Sequence, residues 1–128
     1  MQYLIRIFYI LHGLVHLLYM GHSLNYFELE KGFNWPHNSR LLANYCSSKQ
    51  IMLIAAIWCA MAATIFILSG IFVLINHPWY SLLTFIAVVL STMLFIVLWD
   101  GNRKKLHTQG GIGILINVIV LAYTIFLT

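Results

Sequence analysis

Four predominantly apolar stretches, residues 3–21, 51–75, 79–99 and 112–127, take up most of this 128-residue chain and leave only polar connections between them. A hydrocarbon core of about 30 Å is crossed by about 20 helical residues, and in lipid each segment must satisfy its own backbone N–H and C=O groups. The pattern predicts an all-α fold: one domain, residues 1–128, built as an integral membrane four-helix transmembrane bundle with a short interfacial segment after the first span. Composition decides between this and a buried-core reading. The chain is 62% hydrophobic and 8% charged, against about 45–50% and about 25% in soluble domains. Too few polar residues remain to coat a water-facing surface, so a soluble globular domain is excluded.

Trp79 and Trp99 bracket the third stretch as interfacial indoles would. The fourth is the shortest, so its start must lie close to the interface or the bilayer must thin around it. Asn76, His77 and Pro78 make a stop-and-turn signal that folds the second and third spans into an antiparallel hairpin. The first connection, residues 22–50, carries Tyr26, Phe27, Phe33 and Trp35 and suits the interface. Within it Asn38 or Ser39 could cap a short helix through Tyr45, with Leu41, Leu42 and Tyr45 on one side. The first span carries His12 and His16 and is followed by no small-x-small cleavage site, so it reads as retained rather than as a signal peptide.

Seven Lys and Arg against three Asp and Glu give a formal charge of +4. These cations lie in short segments between apolar runs, which argues for topology and lipid headgroups, not a nucleic-acid partner. Lys31, Arg40, Lys49, Arg103, Lys104 and Lys105 fall in the first and third connections, and Arg6 alone falls toward the other side. The positive-inside rule makes both connections cytoplasmic and both termini external. Cys46 and Cys59 form neither a CxxC nor a zinc spacing and read as small apolar fillers. Ala55, Cys59 and Ala63, with Ala56, Ala60 and Thr64 beside them, make a small-residue stripe that serves packing, either inside the bundle or between protomers.

The sharpest chemical feature is His12-Gly13-Leu14-Val15-His16, two imidazoles one turn apart on one face, deep in an apolar span. Ionisable groups at such depth face the bundle interior and are functional candidates by default, although each ring could simply hydrogen-bond a neighbouring helix. Counting residues from the same side of the membrane puts His16 in one layer with Asn117 of the fourth span, with His12 deeper and with His22 and Asp100 above. His12, His16, His22, Asp100 and Asn117 are therefore the candidate ligand-binding residues. His16 and Asn117 would act as hydrogen-bonding ligands, and His12 as the deepest proton acceptor. A second candidate lies at the start of the fourth span. Arg103, Lys104 and Lys105 precede Gly110, Gly111 and Gly113, and together they could contact an anionic lipid headgroup. The plainer reading is a glycine turn for close packing and cations that fix topology.

Other chemistries are weaker. Both histidines share one helix face, so six-coordinate haem is disfavoured and only a one-histidine attachment stays open. No HExxH is present and the acids are limited to Glu28, Glu30 and Asp100, so no metal site is assigned and no cofactor can be named. Nucleophilic catalysis by Ser or Cys lacks a convincing partner in the same layer, and only Ser23 and Cys46 on the cytoplasmic side stay open for it.

LHGLVHLLY in the first span, NWPHNSRLL in the connection and FIVLWDGNRKKLHTQGGIGILIN toward the end together resemble a family of small four-span prokaryotic membrane proteins, sometimes labelled permease-like. The shared positions are His12, Gly13, His16, Trp35, Pro36, Trp99, Asp100, Gly101, Gly110, Gly111, Gly113 and Asn117. The HGxxH also resembles, more weakly, DoxX-like four-helix membrane proteins, but the cysteine motifs of a membrane thiol-redox enzyme are absent. The resemblance implies a four-span architecture in a prokaryotic cytoplasmic membrane and supplies no mechanism. The expected function is a small, non-enzymatic membrane protein that binds a small ligand or lipid in a polar pocket, or serves as an accessory subunit of a larger assembly. One alternative is an intramembrane enzyme or quinone-linked redox component using the His12/His16 pair for proton transfer; another is an oligomeric transporter. Expected partners are the bilayer, an anionic headgroup, and a membrane protein or a second copy of the chain.

Overall fold

The structure, a computed structural model, describes residues 2–29, 31, 35–36, 38–101 and 111–127. It is all-helical, with α1 at Gln2–Ser23, α2 at Ser48–Leu74, α3 at Tyr80–Val97 and α4 at Ile112–Leu127; no strand occurs among the described residues. The first three are long and apolar enough to cross a membrane. The fourth is equally apolar but has 16 residues, about 24 Å of helix.

Local chemistry sets the helix ends. α2 begins earlier than its apolar run because Ser47-Ser48-Lys49-Gln50 is a capping box. The Ser47 hydroxyl accepts from Gln50 N at 3.3 Å and Gln50 Oε1 accepts from Ser47 N at 2.9 Å, satisfying two N–H groups that a helix start leaves unpaired. At its other end Asn76 adopts a left-handed φ of 53°, a conformation Asn tolerates better than most residues. His77 N then reaches back to Phe72 O at 2.8 Å, which turns the chain into α3.

The segment expected to form a short helix after Ser39 is a run of turns instead. Ser39 does cap it, accepting from Leu42 N at 3.1 Å. However, the Ser39 hydroxyl also donates to Val97 O, and Arg40 N donates to Trp99 O at 2.8 Å. These groups tie the segment to the end of α3 and leave it no independent helical register. Its expected apolar side is not gathered either: Leu42 packs on the core while Leu41 and Tyr45 are exposed.

Small residues set the helix spacing. An added Cβ on Gly13 would lie 3.0 Å from Ala63 O, and one on Gly70 would lie 2.7 Å from Ile10 Cγ1, so α1 and α2 meet nearly backbone to backbone, as helices in lipid do across small residues. Ala55, Cys59, Ala62 and Ala63 are all fully buried, so most of the α2 stripe turns into the bundle, while Thr64 is exposed and bonds only to Ala60 O of its own helix. α2 packs closely on α3 and α3 on α4, whereas α1 and α4 are joined by side chains without close backbone approach. Two apolar clusters fill the interior. Trp35, Ile51, Ala55, Cys59, Leu94, Phe95 and Leu98 form one toward the long connection. Tyr9, Phe66, Ala87, Val88 and Val120 form the other toward the α2–α3 turn.

Candidate functional site

The inward face of α1 is polar along its whole length. Arg6, Tyr9, His12, His16, Tyr19 and Ser23 recur every three or four residues, the spacing that keeps side chains on one face. Tyr9, His12, His16 and Ser23 are buried, while Leu4, Ile7, Leu11, Leu14, Val15 and Leu18 on the outer faces are exposed. The helix is thus polar inside and apolar outside, the arrangement a lipid solvent dictates.

Between the two apolar clusters His12, His16, Ser91 and Asn117 form a closed circuit. His12 Nε2 lies 3.0 Å from Asn117 Oδ1, Asn117 Nδ2 lies 2.8 Å from Ser91 Oγ, Ser91 Oγ lies 2.7 Å from His16 Nε2, and His16 Nδ1 lies 2.9 Å from the carbonyl oxygen of His12. Elementary valence fixes every direction. A carbonyl only accepts, so His16 Nδ1 carries the proton. In a neutral imidazole Nε2 is then the acceptor, and Ser91 must donate to it. Ser91 Oγ is thereby free to accept from the Asn117 amide, whose Oδ1 accepts from the protonated Nε2 of His12. The circuit runs head to tail with one donor for each acceptor. Turning the Asn117 amide over would force His16 to carry two protons, and a charge at this depth is expensive. Asn117 Nδ2 also donates to Thr92 Oγ1 at 3.2 Å. Every N–H and O–H of His16, Ser91 and Asn117 is therefore committed, and His12 Nδ1 is left without a hydrogen-bond partner among the described residues.

The circuit lies near the middle of α1 and about 7–9 Å from the start of α4 and the end of α3. His12 is ten residues from the start of α1 and eleven from its end, about 15 Å from either. Aromatic rings enclose it: Phe66 meets the His12 ring edge-on at 4.6 Å, Phe8 stacks on it at 5.8 Å, and Phe95 lies 6.0 Å from His16. A second polar rung lies one turn nearer the start of α1, where the Tyr9 hydroxyl meets Thr124 Oγ1 at 2.9 Å. Ser69 on α2 bonds to Thr84 on α3.

The residues expected from the sequence separate into three groups. His12, His16 and Asn117 are brought together. The register differs from the expectation that His16 would face Asn117, because His12 takes that place and Ser91 stands between Asn117 and His16. α1 is six residues longer than α4, about 9 Å, and it overhangs the start of α4 by roughly that length. His22 and Asp100 are set apart from the circuit. His22 is buried one and a half turns beyond His16, and its Nδ1 faces Leu29 N at 3.4 Å. Asp100 lies past the end of α3, at least about 9 Å along the helix axis from Ser91. Of the headgroup candidates, Arg103, Lys104, Lys105 and Gly110 lie outside the described residues. Gly111 starts the approach to α4, and Gly113 is a packing position, since a Cβ there would meet Phe95 Cε2 at 2.7 Å.

Sequence reasoning missed Ser91, Thr92, Tyr9 and Thr124. The signal was present: Ser91-Thr92 is a polar pair in the middle of an apolar span, and Tyr9 continues the His12/His16 face one turn back. No family model, no curated protein and no solved structure matches the chain.

Proposed function

We propose that this chain is a non-enzymatic integral membrane protein that binds a small ligand or lipid from the bilayer at the seam between α1 and α4, or serves as an accessory subunit of a membrane assembly. The observation that carries this reading is the closed circuit. Acid–base or proton-transfer chemistry needs a histidine that can exchange its partner for a reacting group, whereas both nitrogens of His16 are occupied by groups of the chain itself. The acceptor that stays open for a ligand is the lone pair of His12 Nδ1, on the helix that is joined to α4 by side chains without close backbone approach. A hydrogen-bond donor on an amphiphile entering sideways suits that position. The balance of Lys and Arg supports a cytoplasmic location for both long connections and an external one for both termini.

The test is native mass spectrometry of the protein taken directly from membranes, comparing wild type with His12→Gln. The Gln amide keeps a donor for Asn117 Oδ1 but removes the Nδ1 acceptor. A co-purifying small molecule that is lost in His12→Gln while the fold persists supports the reading. A folded His16→Ala variant that loses turnover of a lipid or quinone overturns it in favour of the enzyme.

A further inference from the structure

At the end of the bundle opposite the basic connections, Arg6 stands without any carboxylate side chain to face. The acids of the chain, Glu28, Glu30 and Asp100, all belong to the first and third connections, and a four-helix up-and-down topology puts those connections at the far end. The main chain of Arg6 lies beside Gly70, where an added Cβ would sit 3.4 Å from Arg6 O. Its side chain extends toward Asn76, six residues further along, and so climbs about 9 Å of helix to reach the hairpin turn. There Nη2 donates to Asn76 Oδ1 at 3.4 Å, and the guanidinium lies 5.0 Å over the Tyr3 ring. Nε is buried with no hydrogen-bond partner among the described residues. Trp79, 62% exposed just past the turn, marks this level as the headgroup boundary.

A guanidinium carries five N–H donors and a permanent charge, yet among the described residues its hydrogen bond is one long contact to a neutral amide. We propose that Arg6 and Asn76 form a binding site for a phosphate group, taken from an anionic lipid headgroup in the leaflet on the side of the termini or from free phosphate. Arg6 supplies the paired N–H fork that matches two phosphate oxygens. Asn76, whose Oδ1 faces Arg6, keeps its exposed Nδ2 to donate to a third.

The test uses the full chain in detergent, with bound lipid counted by native mass spectrometry after exposure to phosphatidylglycerol or to phosphatidylcholine. Wild type should retain one phosphatidylglycerol that Arg6→Gln binds about tenfold more weakly, the loss expected for a single charge-assisted contact. Arg6→Lys should fall between them, because it keeps the charge without the fork. Asn76→Gly, which suits the left-handed backbone and deletes only the amide, should weaken binding by a smaller factor, and these two variants carry the test if Arg6→Gln does not fold. Adding inorganic phosphate separates the sources: displacement of the lipid in wild type alone identifies a free anion, and no displacement identifies the headgroup, either result supporting the site. Equal retention of phosphatidylglycerol by wild type and every variant, with no Arg6-dependent phosphate binding, would overturn it.

Discussion

Replacing Asn117 with Leu keeps the side-chain volume and removes the hub of the polar circuit. The variant loses three hydrogen bonds, to His12 at 3.0 Å, Ser91 at 2.8 Å and Thr92 at 3.2 Å. Interhelical hydrogen bonds in membrane bundles average about 0.6 kcal/mol, so the bonds themselves account for about 2 kcal/mol. The Nε2–H of His12 is then left without an acceptor, which adds about 1–3 kcal/mol. The expected loss is about 3–5 kcal/mol, a large share of a typical domain's stability. Ser91→Ala should cost less, about 1–2 kcal/mol for the two bonds lost, those to His16 Nε2 and to one Asn117 N–H, because Asn117 keeps His12 and Thr92. Thr64→Ala, on the exposed face of α2 with a bond only to its own helix, should be close to neutral. Unfolding in mixed micelles by a denaturing detergent, followed by circular dichroism, gives the ranking Asn117→Leu over Ser91→Ala over Thr64→Ala. An Asn117→Leu protein as stable as wild type would refute the reasoning, as would a Ser91→Ala loss equal to that of Asn117→Leu.

Two further expectations follow from the same geometry. Nitrogen-15 NMR of the imidazoles should find His16 protonated at Nδ1 and His12 at Nε2, the only pair of neutral tautomers that closes the circuit; the reverse assignment contradicts it. Gly13→Ala should cost about 1–3 kcal/mol, because the new methyl meets the fixed Ala63 carbonyl at 3.0 Å, whereas Gly21→Ala meets only the exposed Phe27 ring at 2.5 Å, which can swing aside; thermal unfolding of the two variants should therefore differ.

The fold was legible in the sequence because lipid imposes a length rule, and residues 3–21, 51–75, 79–99 and 112–127 locate the four helices with ends shifted by up to three residues. The shifts have local causes that periodicity does not carry. Ser47 with Gln50 starts α2 early, a signature readable from the letters alone, and the ties from Ser39 and Arg40 to the end of α3 turn an apparent helix into turns. His12, His16 and Asn117 were recognisable because polar side chains in a span are rare and must find one another. Their pairing was not, since it depends on how far α1 overhangs α4. Ser91 and Tyr9 were passed over because single hydroxyls in a span can bond their own helix, as Thr64 does to Ala60 O at 2.8 Å, and only the three-dimensional arrangement separates that case from a contact across helices.

The crossing of α1 divides two tasks between two kinds of residue. Gly13, Gly70 and Ala63 govern how near it comes to α2, while the one-way chain of donors and acceptors from His12 back to His12 governs its azimuth, since any other rotation sets like against like. Nearness and azimuth can consequently be altered one at a time: a bulkier side chain at position 13 should push α1 outward with its face unchanged, and an apolar one at position 117 should leave it seated at the same distance with only the His16–Ser91 and Tyr9–Thr124 bonds resisting its turning.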